Sequence, residues 1–534
     1  MAMPRTKANP ESPFGAARSA FMVGAGILSS RLAGLIRDRV FAHFFGNSDA
    51  ADAFRAAFRI PNFLQNLFGE GVLSASFIPA YARLLAQKNT KEARELAGAI
   101  AAILALVVSL LVLVGLWVTP TMITLIAPGF AGEKRDLCIR LVRIFFPGAG
   151  LLVFSAWCLG ILNSHRHFFL SYTAPVIWNA AIIATLLGFG TRQAQFPLAT
   201  LAAWGSVVGS LLQLLVQVPL VLRLVESLRL RPDFRLPEVR IVIKNFVPVF
   251  VGRGVIQISA YVDSLISSLL GTGAVAGLGY AQTLYTLPVS LFGMAVSAAE
   301  LPAMSSALGD HAEVARGLRS RLNDGLRRIA VFIVPSAMAF LALGDVVAAT
   351  IYQSGRFAHA DALYVWAILA GSAVGLLAST LGRLYASAYY ALRDTRTPLR
   401  FALLRVVLTT LLGYVAAVLL PPRLGIDLRW GVAGLTASAG VAGWLEFLLL
   451  RRTLNRRIGE SGLPVSFTFR LWAAAAMGAG VAWVIKGSVS PLHPLYQGLL
   501  VLGAYGLTYL LGALALGVPE VQQALERARR VMGW

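Results

Sequence analysis

Seven arginines, Arg31, Arg37, Arg39, Arg59, Arg253, Arg383 and Arg405, fall inside long apolar runs of this 534-residue chain. A guanidinium is permanently charged and planar, and it grips an oxyanion with two parallel hydrogen bonds. At the centre of a bilayer it costs about 2.5–3.5 kcal/mol on insertion scales, whereas near a helix end it snorkels to the interface almost freely. Depth therefore separates chemistry from convenience. Arg383 and Arg405 lie near run ends and read as snorkelling residues; for Arg39 and Arg59 both readings stand. Arg31 lies close to the middle of its run. Asp38 follows at i+7, nearly on the same helix face, with Arg37 beside it. The segment RLAGLIRDR holds three arginines and one aspartate, so pairing leaves net positive charge. A structural ion pair is one reading; a cavity-facing anion site is the favoured one.

Two further stretches extend this polar set. Arg253 sits in a Gly-Arg-Gly triplet about 12 Å into its run, and Gln257 and Tyr261 continue its face at i+4 and i+8. Asp263, deeper in the same run, suits either a coupling-ion or proton site or a partner for an arginine. Residues 59–81, RIPNFLQNLFGEGVLSASFIPAY, place Asn62, Asn66, Glu70 and Ser74 every four residues along one helical stripe. A polar stripe on a membrane helix must face protein or water. Arg59 and Glu70 are separated by about 16 Å of ideal helix and do not pair directly. Pro61 and Pro79, with Gly69 and Gly71 between them, predict a bent helix rather than a simple anchor.

The elements that must position these residues are membrane helices. The chain is 57% hydrophobic and 13% charged, with a mean hydropathy of +0.71, against about 25% charged residues in soluble domains. Runs of bilayer-crossing length recur throughout, and the alternating strands of a β-barrel are absent. The fold class is thus an all-α polytopic membrane protein. Fourteen spans are predicted, at roughly 17–45, 54–86, 92–119, 137–162, 174–190, 197–223, 245–270, 275–306, 325–350, 362–391, 398–420, 430–450, 468–487 and 495–517. The net charge of +22 does not indicate nucleic acid, because basic residues concentrate between the spans. With both termini inside, the inner segments hold thirty of the 47 basic residues and the outer ones ten, which predicts cytoplasmic termini. The first residues lack a signal-peptide cleavage pattern and read as a cytoplasmic tail over 1–16. Cys138 and Cys158 lie about 30 Å apart along one predicted helix, too far for a disulfide, and no Cys/His cluster points to a metal or other cofactor.

A weak repeat links the halves. FMVGAGILSS at 21–30 matches FVGRGVIQIS at 250–259, and each is followed by an LFG segment, at 67–79 and 291–302. Spans 1–6 and 7–12 then form parallel repeats, placing an N-lobe at 17–226, a C-lobe at 227–452, two further spans at 453–517 and a C-terminal tail at 518–534.

SSRLAGLIRD (29–38), DAFRAAFRIPNFLQNLFGEGVLSASFIPAY (52–81), APGF (127–130) and YALRDTRTP (390–398) resemble the MurJ/MviN family of lipid II flippases, within the multidrug/oligosaccharidyl-lipid/polysaccharide exporter superfamily. The resemblance spans essentially the whole chain. It implies two six-helix lobes around a central cavity, plus two C-terminal helices forming a lipid-tail groove. It implies transport by alternating access rather than enzymatic chemistry. The substrate would be lipid II, an undecaprenyl-pyrophosphate glycopeptide, moved from the cytoplasmic to the periplasmic leaflet of the bacterial inner membrane. Membrane lipids and cell-wall synthesis proteins are the other partners it suggests; no cofactor is implied. Arg31, Arg37 and Asp38 match the family's charges in span 1, and Glu70 matches its glutamate in span 2. Substrate-binding residues are expected among Arg31, Arg37, Arg253, Asn62, Asn66 and Gln257, with Asp38, Glu70, Arg59 and Asp263 as gating or charge partners. Gln65 and Thr283 stand where relatives carry arginines, and Arg253 is the expected replacement for one of them. Asp263 could match the span 7 carboxylate of a sodium site described in some members, but residues 399–420 contribute no acid. A flippase for another polyprenyl-linked glycan, a cation or drug antiporter and a non-transporting scaffold are the rival readings.

Overall fold

A computed structural model describes residues 13–68, 72–297 and 311–523, together with Glu300, Met304 and Glu526. Helices form two compact units that divide between Tyr261 and Val262. The first holds α1 (Pro13–Phe45), α2 (Asp49–Phe68), α3 (Val72–Ala86), α4 (Thr90–Ile126), α5 (Gly132–Ser164), α6 (Phe168–Phe189) and α7 (Gln195–Val225). Helix α8 (Pro237–Ser268) crosses the division. The second unit continues with α9 (Ala274–Pro288), α10 (His311–Ala342), α11 (Gly344–Tyr352), α12 (His359–Ala391) and α13 (Arg396–Arg423). It ends with α14 (Gly431–Ile458), α15 (Val465–Ser488) and α16 (Pro494–Ala515).

Among the described residues, 10 helices are long and apolar enough to cross a membrane. They coincide with ten of the fourteen predicted spans. The other four predicted spans fall on α1, α2 with α3, α8 and α9, and the first three of these carry Arg31, Arg37, Arg59 and Arg253. The predicted span 2 is two helices, α2 and α3; Gly69, Glu70 and Gly71 between them lie outside the described residues.

Each unit is built around one central helix. In the first it is α5, whose most apolar window is 78% buried, against 39% for α4 and 28% for α7. Small residues let neighbours approach it closely: Gly148 faces Val207 and Ser210 of α7, and Gly160 faces Phe77 of α3. A polar rung sits in the same interface, where the Gln213 and Gln217 amides donate to Ser155 Oγ at 2.8 and 2.9 Å. Both cysteines lie on α5 as free, buried thiols. In the second unit α12 takes the central place, with 61% of its window buried. At its crossing with α14 a Cβ on Gly375 would come within 2.3 Å of the Gly440 Cα. The packing supports the repeat seen in sequence. The pairs α5–α7, α6–α7 and α2–α5 recur six spans later as α12–α14, α13–α14 and α9–α12.

The last two helices pack against α10 and α11 of the same unit. Pro335 lies inside α10 and has no N–H, so the Val331 carbonyl loses its helical donor. The Tyr509 hydroxyl of α16 donates to that carbonyl at 2.6 Å, and Tyr505 donates to the Pro335 carbonyl at 2.6 Å. Trp483 of α15 donates to the Ala342 carbonyl, and Lys486 pairs with the nearly buried Asp345 at 2.5 Å. In lipid, where no water satisfies a bared carbonyl, these bonds fix where the two helices dock.

Candidate functional site

Helices α1 and α2 carry Arg31, Arg37, Asp38 and Arg55, and the structure sorts them into two kinds. Asp38 is 3% exposed and shared between two arginines. Arg37 donates to its Oδ1 from Nη2 at 2.9 Å and from Nε at 3.2 Å, and Arg55 Nη2 approaches the same oxygen at 3.4 Å. Aromatic faces cover both guanidinium groups. Arg37 lies 5.8 Å from the Phe58 ring centroid and 5.3 Å from that of Trp178, while Arg55 lies 5.1 Å from that of Phe41. Two guanidinium groups thus share one buried carboxylate, the first from α1 and the second from α2.

Arg31 is different. It stands two turns nearer the helix start, on an exposed face between Leu28 and Leu32, with no hydrogen bond or ion pair among the described residues. The neighbouring Gly34 has nothing within 4 Å of where a Cβ would stand, so the surface beside it is open. Arg37, by contrast, is paired with Asp38.

Arg55, at the very start of predicted span 2, was not singled out in the sequence. Helix α2 begins at Asp49, so Arg55 lies nearly two turns inside it. The signal was available in the spacing of Asp52, Arg55 and Arg59, which are three and four residues apart, as on one helical face. The same early start places Asp49 and Asp52 on Lys134 of α5, at 2.8 and 2.6 Å. Phe130, from the APGF segment, covers that lysine with its ring centroid at 4.5 Å.

The other expected residues are partly accounted for. Asn62 is half-buried on α2. The Arg59 carbonyl accepts from Tyr261 of α8 at 3.1 Å, and the Tyr261 ring meets Phe63 edge-on. That brings Tyr261 of α8 against α2. Arg253 and Gln257 lie on α8 and Asn66 on α2, but their side chains, and Glu70 altogether, lie outside the described residues. Thr283, where relatives carry an arginine, donates to the Gly279 carbonyl of its own helix at 3.1 Å.

In the second unit Asp263 lines a cavity of ≈ 140 Å³ together with Gln282, Tyr285, Ser379, Arg405 and Thr436. Arg405 is paired with Glu446 at 3.1 Å, and Tyr285 and Ser379 are bonded at 2.8 Å. A carboxylate on α14, invisible to depth counting along α13, thus meets Arg405 beside the cavity.

The fold is shared with solved membrane-protein structures. An inward-facing multidrug resistance MATE family transporter of the MOP superfamily superposes with a TM-score of 0.63 at 18% identity, covering 81% of this chain and 96% of that one. A lipid II flippase MurJ in an inward closed conformation superposes with a TM-score of 0.76 at 23% identity, covering 92% and 98%. The sequence narrows the class. The family model for lipid II flippase MurJ matches residues 41–502. The lipid II flippase MurJ of Burkholderia cenocepacia is 33% identical over 473 residues, 87% of this chain and 89% of the relative. A probable lipid II flippase MurJ of Rhizobium tropici is 30% identical over 526 residues, 95% and 96% of the two chains. This multi-pass membrane protein belongs to the MurJ family of lipid II flippases.

Proposed function

We propose that the protein flips lipid II from the cytoplasmic to the periplasmic leaflet of the inner membrane by alternating access, with both termini cytoplasmic. The observation that carries the reading is Arg31, an exposed cation near the middle of α1 with no carboxylate partner among the described residues. A pyrophosphate headgroup is a doubly charged oxyanion, and one free guanidinium binds it bidentately. The Arg37–Asp38–Arg55 cluster, one to two turns further along, adds net positive field without competing for the ligand. In this reading Arg253, Asn62, Asn66 and Gln257 are the further substrate-binding residues, and Glu70, Arg59 and Asp263 are the charge partners during the exchange of gates. A flippase moves its substrate intact, so none of these residues needs to be a nucleophile or a proton donor to a breaking bond. A drug antiporter that carries cations would favour a carboxylate at the position Arg31 holds. Flippases for other polyprenyl-pyrophosphate glycans share the anionic handle, and family membership favours lipid II among them.

The test is complementation of a flippase-depleted strain. Arg31→Ala should fail to restore growth while accumulating in the membrane at the level of the unaltered protein. Full growth at normal expression would remove Arg31 from the binding machinery.

A further inference from the structure

In the first unit, α5 and Trp204 of α7 line an open cavity of ≈ 530 Å³. Its polar lining is Asp136, Arg140 and Arg143, at i, i+4 and i+7 on α5, with Pro147 at i+11 and Trp204 across from them on α7. These positions share one narrow stripe of the helix. None of the three charged side chains has an ion pair or hydrogen bond among the described residues, and all three are exposed. Gly148 faces Val207 and Ser155 takes Gln213, so the two helices run parallel with Arg143 near the level of Trp204. Below Trp204 a ridge of exposed apolar residues, Val208, Leu211 and Leu215, continues along α7.

A lone arginine near a helix end needs only bulk headgroups. Here two of them share a cavity with an aromatic rim, an acid lies one turn further toward the helix start, and an apolar track leads away on the other side. We propose that this cavity binds one aminophospholipid. Arg140 and Arg143 hold the phosphate. Asp136, about 6 Å nearer the start of α5, accepts the primary ammonium group. The acyl chains lie along the α7 ridge. The order of charges is what selects the headgroup: a phosphatidylglycerol offers no cation to Asp136, and the quaternary ammonium of phosphatidylcholine offers no N–H. The site is separate from Arg31 and does not rest on the transport reading.

Lipid occupancy of the purified full-length protein, read by native mass spectrometry, tests this. Titrated in turn with phosphatidylethanolamine, phosphatidylglycerol and phosphatidylcholine, the protein should retain the first most strongly. Asp136→Asn should reduce that preference roughly two- to fivefold, the range of an exposed ion pair, without weakening phosphatidylglycerol. The double variant Arg140→Ala/Arg143→Ala should lower retention of both phosphatidylethanolamine and phosphatidylglycerol about tenfold or more. Arg140→Lys/Arg143→Lys should keep most of the binding, which separates loss of charge from loss of fold. Equal retention of the three lipids, or an unchanged preference in Asp136→Asn, would overturn the assignment. Displacement by millimolar inorganic phosphate would instead make this a site for soluble anions.

Discussion

Replacing Asp38 by Asn tests whether the wall beside Arg31 is held by charge. The carboxylate side chain is 4% exposed and receives two arginines whose side chains are 18% and 15% exposed. Removing one partner from a buried pair typically costs about 3–5 kcal/mol, because the remaining charge is stranded. Here Asn keeps a carbonyl acceptor, and the partly exposed guanidinium groups retain some hydration and the faces of Phe58, Trp178 and Phe41. The expected loss is therefore smaller, about 2–3 kcal/mol. Equilibrium unfolding in mild detergent titrated with a denaturing one measures it. The double variant Asp38→Asn/Arg55→Gln should recover part of the loss, since it removes a cation left without its anion. Arg31→Ala should stay within about 0.5 kcal/mol of the unaltered protein in the same assay, as an exposed unpaired side chain does. A loss below about 0.5 kcal/mol for Asp38→Asn would refute the shared-carboxylate account.

Tyr509→Phe leaves the Val331 carbonyl without its donor and should destabilise the docking of α16 by about 1–2 kcal/mol, seen as a lower unfolding midpoint. Gly375→Leu sets a side chain against the Gly440 backbone, and the variant should fail to accumulate or melt well below the parent, while Gly443→Leu, with open space, should not. Asp394, in the turn before α13, accepts from the Thr397 N–H, the Thr397 hydroxyl and Arg457. The Thr397 bonds foremost, then Arg457, hold its pKa at about 2. A carboxyl with a depressed folded pKa contributes stability that is fully present above the ordinary carboxylate range and is lost as pH falls toward 2. Asp394→Asn should accordingly melt lower at neutral pH, with the gap closing between about pH 5 and pH 2.

The fold class was legible because lipid imposes long apolar helices, and ten of the fourteen predicted spans coincide with such helices among the described residues. Arg31 drew attention for the same reason, since it stands near the middle of its apolar run. What the sequence concealed is lateral. Nothing in α13 says that Arg405 meets Glu446, and nothing in α10 says that Tyr509 supplies the donor Pro335 removes. The start of α2 was misplaced because Asp49, Asp52 and Arg55 look like a connecting loop on hydropathy; their pairing with Lys134 and Asp38 lets the helix start there. Two segments that carried the family resemblance also have structural work. Phe130 of APGF shields Lys134, and Asp394 of YALRDTRTP closes the turn from α12 to α13 onto α14.

Translocation of lipid II in cells depleted of other flippases puts the central claim to its most direct test. With Arg31→Ala present at normal level and normal stability, lipid II should remain on the cytoplasmic face, and Arg31→Lys should restore only part of the flux, because an ammonium cannot make the bidentate bond. Flux through Arg31→Ala equal to that of the unaltered protein would contradict the account.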